Sequence, residues 1–194
     1  MGRPLGFGPP GLPWFPPPPE DRYSDEHDEW RDQVLKTAKK LFGGNPRIFI
    51  SPHPYRGFHA ISPDKQPSGP KPTGLWYACG LEWIEWVVSE MPQWISQYVY
   101  AVEPDFSRML VVKSETSLDA FARAFGKKGP LASGWEVDWP AVARRYDGIE
   151  ICPYFWDRRY TYTWYSTWDV ASGCIWRPRA VRQVFPLTHA RRNG

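Results

Sequence analysis

Apolar residues recur three and four positions apart through Trp30, Val34, Leu35, Ala38, Leu41 and Phe42, which predicts an amphipathic helix beginning near Ser24. Its acidic residues come first (Asp25, Glu26, Asp28, Glu29) and its lysines last (Lys36, Lys39, Lys40), the order a helix dipole favours, and Gly43-Gly44 ends it. The short apolar run Arg47–Ser51 predicts a strand. Pro52 and Pro54 then punctuate the chain, and Arg56–Ile61 reads as a second extended piece. A polar, proline-rich loop fills Pro63–Thr73 before a short strand at Leu75–Ala78. In Gly80–Met91 a stripe of Leu81, Ile84, Val87, Val88 and Met91 predicts a helix, which Pro92 terminates.

The second half repeats this alternation. Tyr98–Val102 and Met109–Val112 read as strands, and Leu118–Phe125 as a helix with Ser and Thr capping candidates before it. Asp138–Arg145 reads as a helix capped by Asp138, with Pro140 in the first turn, where proline is tolerated. Gly148–Cys152 and Gly173–Trp176 predict strands, and Ala180–Phe185 extends the sheet. Tyr154–Trp168 is aromatic and follows neither period. Short strands interleaved with about four helices indicate an α+β fold, with small mixed or antiparallel sheets and flanking helices.

Composition sets the boundaries. Residues 1–23, rich in proline and glycine, bury little and read as a disordered tail; residues 24–188 form a single domain; residues 189–194 are a basic C-terminal tail. Net charge is +3, too small to argue for nucleic acid, although Arg177, Arg179, Arg182, Arg191 and Arg192 gather near the end. Cys79, Cys152 and Cys174 are odd in number and far apart, which argues against a disulfide framework and against structural zinc. No apolar run is long enough to span a bilayer, and the proline-broken start does not resemble a signal peptide. A cytoplasmic, reducing setting is the default expectation, with no membrane and no metal partner. The aromatic load of 12 Trp, 10 Tyr and 10 Phe is heavy; such rings fill cores and also build stacking surfaces for flat ligands.

Phosphate-loop, dinucleotide-fingerprint, zinc-protease and nucleophile-elbow motifs are all missing, and His27, His53, His59 and His189 lack metal-ligand spacing. Two segments stand out. One is Tyr55-Arg-Gly-Phe-His-Ala-Ile61; the other is Lys71-Pro-Thr-Gly-Leu-Trp-Tyr-Ala78, which runs directly into a helix. Gly74-Leu-Trp-Tyr-Ala78 and its helix resemble the second-strand motif of the ADP-ribosyltransferase superfamily, which includes poly(ADP-ribose) polymerases and RNA 2′-phosphotransferases. His59-Ala60 resembles the first-strand motif, with Ala60 where the polymerases carry Gly. The resemblance covers about a quarter of the chain.

It implies an ADP-ribosyltransferase-like fold with NAD as substrate and an acceptor that is an unknown macromolecule, protein or nucleic acid. His59 would hydrogen-bond the ribose beside nicotinamide, with Ala60 next to it. Trp76 would stack on the nicotinamide ring, and Tyr77 would point into the core. Arg56 is a candidate phosphate contact. The family's late-strand glutamate, which opposes the charge of the oxocarbenium-like transition state, has two candidates. Asp169 ranks above Glu150 because it lies nearer the chain end, although it is one methylene shorter than Glu. Without that acid the domain would be a non-catalytic NAD binder or would perform the RNA phosphotransferase reaction. The alternative class is a Trp-rich binding module for nucleic acid or a nucleotide; a proline-tail interaction protein ranks third. Lys71 reads as solvated.

Overall fold

The computed structural model describes residues 25–128 and 135–188. The proline-rich N-terminal stretch and residues 189–194 lie outside them. The described chain is mixed α+β. In order it runs α1 (Asp25–Phe42), β1 (Arg47–Ser51), β2 (Ser68–Gly69), β3 (Leu75–Cys79), α2 (Glu82–Glu90), β4 (Tyr98–Pro104), β5 (Met109–Val112), α3 (Glu115–Phe125), β6 (Gly126–Lys128), β7 (Trp135–Asp138), α4 (Trp139–Arg145), β8 (Gly148–Ile151), β9 (Ser172–Ile175) and β10 (Val181–Pro186). A seven-stranded sheet has the order β10-β4-β1-β3-β9-β8-β5, and β2-β7-β6 form a small second sheet. Only the β5–β8 pair of the large sheet is parallel; its other pairs are antiparallel.

Local chemistry explains most boundaries. Gly43, at φ 70°, closes α1 with its N–H on the Lys39 carbonyl. Ser114 caps α3 through a reciprocal box with Ser117, so the helix starts three residues before its first buried apolar position, Leu118. The Asp138 side chain accepts the Ala141 N–H at the start of α4.

The extended piece expected over Arg56–Ile61 is not a strand. Two prolines precede it, Gly57 sits at φ 91°, and its buried-side residues Tyr55, Phe58 and Ile61 are spaced by three rather than two. A ladder needs alternation; this segment instead packs Tyr55 and Phe58 on the sheet and bonds the Ile61 N–H to the Trp176 carbonyl.

Three apolar clusters cover the large sheet. On one face, Val34, Ala38 and Ile84 from α1 and α2 pack on Ile48, Val99 and Ala101. On the same face but farther along the sheet, α3, α4 and the aromatic segment pack on Val112, Ile149, Ile151 and Cys174. Phe49, Tyr77, Cys79, Met109 and Ile175 form the third cluster on the opposite face. The aromatic segment, patternless in sequence, folds into 3-10 turns that place Trp164 beside Phe121 and Trp139, Trp168 beside Trp139, and Tyr165 against Trp164 and Trp168. Trp139, Trp164, Trp168 and Trp176 are each 1% exposed, so this part of the aromatic load is core. Burying a ring of that size removes on the order of 4–6 kcal/mol of apolar transfer free energy from water, before entropy is counted.

Candidate active site

The seven-stranded sheet splits at its centre. β1 pairs with β4 along Ile48–Ser51, and β3 pairs with β9 along Leu75–Ala78. The β1–β3 ladder, however, holds only Arg47↔Cys79 and Ile48↔Ala78. Beyond Ile48 the two strands part, so the facing edges at Phe49–Ile50 and Trp76–Tyr77 exchange no ladder bonds. Strand edges left this way present amide donors and carbonyl acceptors to whatever enters between them.

A cavity of about 730 Å³ occupies the split. Ile48, Ile50, Trp76, Ala78 and Ser172 line it from the strands; Trp83 and Trp94–Ser96 line one side, and Lys71 with Trp168–Val170 the other. Its two sides belong to the two helical clusters on that face, which explains its position: α1 and α2 cover one part of the sheet, α3, α4 and the Trp cluster another, and the gap falls over β1 and β3.

The Trp76 ring makes an edge contact with Trp168, centroids 4.9 Å apart. Lys71 sets its ammonium 5.6 Å from the Trp76 ring centre and 3.7 Å from an Asp169 oxygen. Lys71 is therefore not simply solvated. Its loop is tied down by three indoles, Trp139 to the Gly69 carbonyl (3.0 Å), Trp168 to Pro70 (3.2 Å) and Trp76 to Pro72 (3.2 Å). Gly74 lets β3 begin here, because a Cβ on it would collide with the Ile175 carbonyl of β9.

The nominated residues divide between places. Trp76 and Asp169, far apart in sequence, line the same cavity. His59 lines a shallower neighbouring hollow of about 500 Å³, with Tyr55, Gly57, Phe58, Thr73 and Gly74; it shares Phe49, Ile50, Pro52 and Trp76 with the main cavity. Arg56 and Ala60 are exposed beside His59 and line neither.

Glu150 lies on the opposite face of the sheet, 2% exposed and outside both cavities. Arg47 binds it bidentately, Nε at 3.0 Å and Nη2 at 2.9 Å, and the Tyr77 hydroxyl donates to it at 2.9 Å. Tyr77 reaches across β9 because Gly173 has no side chain to block it. Burial, then the Glu150 charge, push the Tyr77 phenol well above its ordinary range, and the Glu150 hydrogen bond holds the Arg47 guanidinium more firmly protonated.

Cys79 and Cys152, distant along the chain, meet in space: their sulfurs and a Glu150 oxygen lie within 4.8 Å of one another. Cys79 donates to Cys152, which lowers the Cys152 thiol and raises that of Cys79. This is a group with metal-ligand proximity, yet the positive charge beside Glu150 already comes from Arg47. Of the arginines that gather near the end of the chain, the three described ones are paired: Arg177 and Arg179 neutralise buried Asp147, and Arg182 pairs with Asp105.

Trp83, Trp94, Trp168 and Ser172 were not singled out from the sequence. A signal existed for two of them: Trp83 and Trp86 stand off the apolar stripe of α2, and Trp94 follows the helix; Trp83 and Trp86 stack at 5.0 Å, and Trp94 packs against both at a tilt, at 5.7 and 6.1 Å. The chain matches no protein-family model, no curated protein and no solved structure. Among the described residues, no helix is long and apolar enough to cross a membrane.

Proposed function

We propose that the chain binds NAD in the split of its sheet and transfers ADP-ribose from it, as an ADP-ribosyltransferase-like enzyme. The observation that carries this reading is the meeting of Trp76 and Asp169 in one aromatic cavity where two strands diverge. The volume of that cavity lies within the range of small-molecule sites. Its parts suit a cationic, flat, amide-bearing ring. Trp76 offers a face, the parted strand edges offer backbone groups to a carboxamide, and Asp169 offers negative charge. Lys71 already demonstrates that a cation is accommodated over Trp76 beside Asp169.

In this reading Trp76 holds nicotinamide, and Asp169 opposes the positive charge that builds on the ribose as nicotinamide leaves. The adjoining hollow with His59 receives a further part of the dinucleotide. Glu150 is a structural acid, since Arg47 and Tyr77 hold it on the other face. The test is release of nicotinamide from labelled NAD by the purified protein. Trp76→Ala should weaken binding, and Asp169→Asn should lower turnover on the order of a hundredfold. NAD that binds but is never cleaved, whatever the variant, would make the domain a nucleotide-binding module. A wild-type protein with no affinity for NAD would remove the reading altogether.

A further inference from the structure

The 3-10 turn Trp156–Arg159 and the residue after it carry exposed rings: Trp156 is 61% exposed and Tyr160 is 85% exposed. Arg159 lies between them, its guanidinium carbon 5.5 Å from the Trp156 ring centre and 6.0 Å from that of Tyr160. Its neighbour Arg158 is engaged instead by Asp119 and Glu115. A solvated turn has no need of a Trp and a Tyr bracketing an arginine, and Trp156 at 61% is more exposed than Trp94 at 46%, while Trp139, Trp164, Trp168 and Trp176 are buried. Exposed rings interleaved with a cation match one ligand chemistry well: flat bases that stack, joined by phosphates.

The patch is also connected to the candidate active site. Trp156 contacts Tyr154 at 4.9 Å, Tyr154 stacks on Tyr165 at 5.1 Å, Tyr165 lies 6.2 Å from Trp168, and Trp168 contacts Trp76 at 4.9 Å. The Tyr154 hydroxyl feels the charges of both Arg159 and Asp169. Tyr165 and Trp168 are buried, so these ring contacts run through the core; they keep the exposed turn within a few ring contacts of the cavity wall at Trp168, a distance a strand of a few nucleotides spans.

We infer that Trp156, Arg159 and Tyr160 form a docking surface for single-stranded nucleic acid, which serves as the acceptor of ADP-ribose. This rests on the reading of the cavity given above. The nicotinamide C–N bond would break, nicotinamide would leave with the electron pair, and ribose C1′ would bond to a nitrogen or oxygen of the strand, whose proton passes to solvent. The modest net charge does not oppose this, because stacking carries much of such binding; the exposed Asp157 in the same turn offsets part of the Arg159 attraction, so affinity should fall only gently with added salt.

The experiment uses the full chain, fluorescently labelled twelve-nucleotide DNA and RNA strands of mixed sequence, and a duplex control. Anisotropy should show binding of single strands at low salt and weaker binding of duplex. Trp156→Ala and Tyr160→Ala should each weaken it about tenfold; both residues are exposed, so the fold should persist, which circular dichroism checks. With NAD labelled in the adenylate phosphate, label should move to the strand, and the same variants should reduce that transfer while nicotinamide release without a strand stays unchanged. Absence of single-strand binding, or binding indifferent to both variants, overturns the surface. Nicotinamide release with no label on either strand overturns the acceptor assignment and leaves the cavity reading intact. Strand binding that depends on the patch, with no nicotinamide release under any condition, overturns the cavity reading and upholds the surface.

Discussion

Replacing Lys71 by Met should raise the preference for oxidised over reduced NAD. Lys71 holds the place over Trp76 and beside Asp169 that a cationic nicotinamide would take. Both members of its ion pair are about half exposed, so the pair itself contributes only about 0.2–1 kcal/mol. The contact with the Trp76 face adds about 0.5–1 kcal/mol. Either form of the ring must displace both contacts, so that cost cancels in a comparison of the two; what does not cancel is the repulsion between the displaced ammonium, still beside Asp169, and the charge of the pyridinium, about 0.2–1 kcal/mol for half-exposed charges. Met keeps the length and apolar stem but removes that repulsion. The substitution also removes a positive charge that would attract the pyrophosphate, and this loss applies equally to both forms of the dinucleotide. The ratio of the two affinities isolates the ring. It should shift toward NAD+ by about 1.5–5-fold, since 1.4 kcal/mol is tenfold. Titration calorimetry or quenching of tryptophan fluorescence with each form measures the ratio. An unchanged ratio would mean that the ring does not enter beside Lys71, and a shift toward the reduced form would mean that Lys71 assists the cation rather than competing with it.

Glu150→Gln should destabilise the fold by about 3–5 kcal/mol, because it leaves the partly buried Arg47 without its counter-charge; thermal melts measure this, and turnover per folded molecule should be preserved. Gly173→Ala should cost about 1–3 kcal/mol, because its methyl group would meet the Tyr77 phenol, and urea unfolding with Tyr77→Phe as a second variant separates the ring from its hydroxyl. Asp147 provides a pH dependence. Burial works to raise its carboxyl, but hydrogen bonds from Arg179 and Arg177 outweigh that and hold it below the ordinary carboxylate value. A depressed folded value means that the stabilisation is fully present above the unfolded pKa of about 4 and is lost as pH falls through the lower folded value. Acid titrations followed by circular dichroism should show this loss below about pH 4, and Asp147→Asn should lack that part of it.

Local patterns along the chain determined most elements. The α1 stripe, its ordered charges and Gly43, the Asp138 cap with Pro140, and the short apolar runs of β1, β3, β8 and β9 are all interactions between near neighbours, so they are legible in one dimension. The Gly74–Ala78 segment likewise marked Trp76. Arg56–Ile61 was misread because apolar content suggested a strand, whereas spacing by three and a glycine at positive φ rule out a ladder. What only the tertiary structure decided depends on which strands become neighbours. The split between β1 and β3 exists because each strand keeps its outer partner while the two helical clusters stand apart on one face. Lys71 meets Asp169 because two indoles from distant positions, Trp139 and Trp168, hold the loop together with the local one of Trp76. Glu150 was removed from the candidate site by Arg47, a residue 103 positions earlier whose partner no spacing rule reveals. Ion pairing and side-chain approach across a sheet are set by register between strands far apart in sequence, and register follows from the packed whole rather than from any window of the chain.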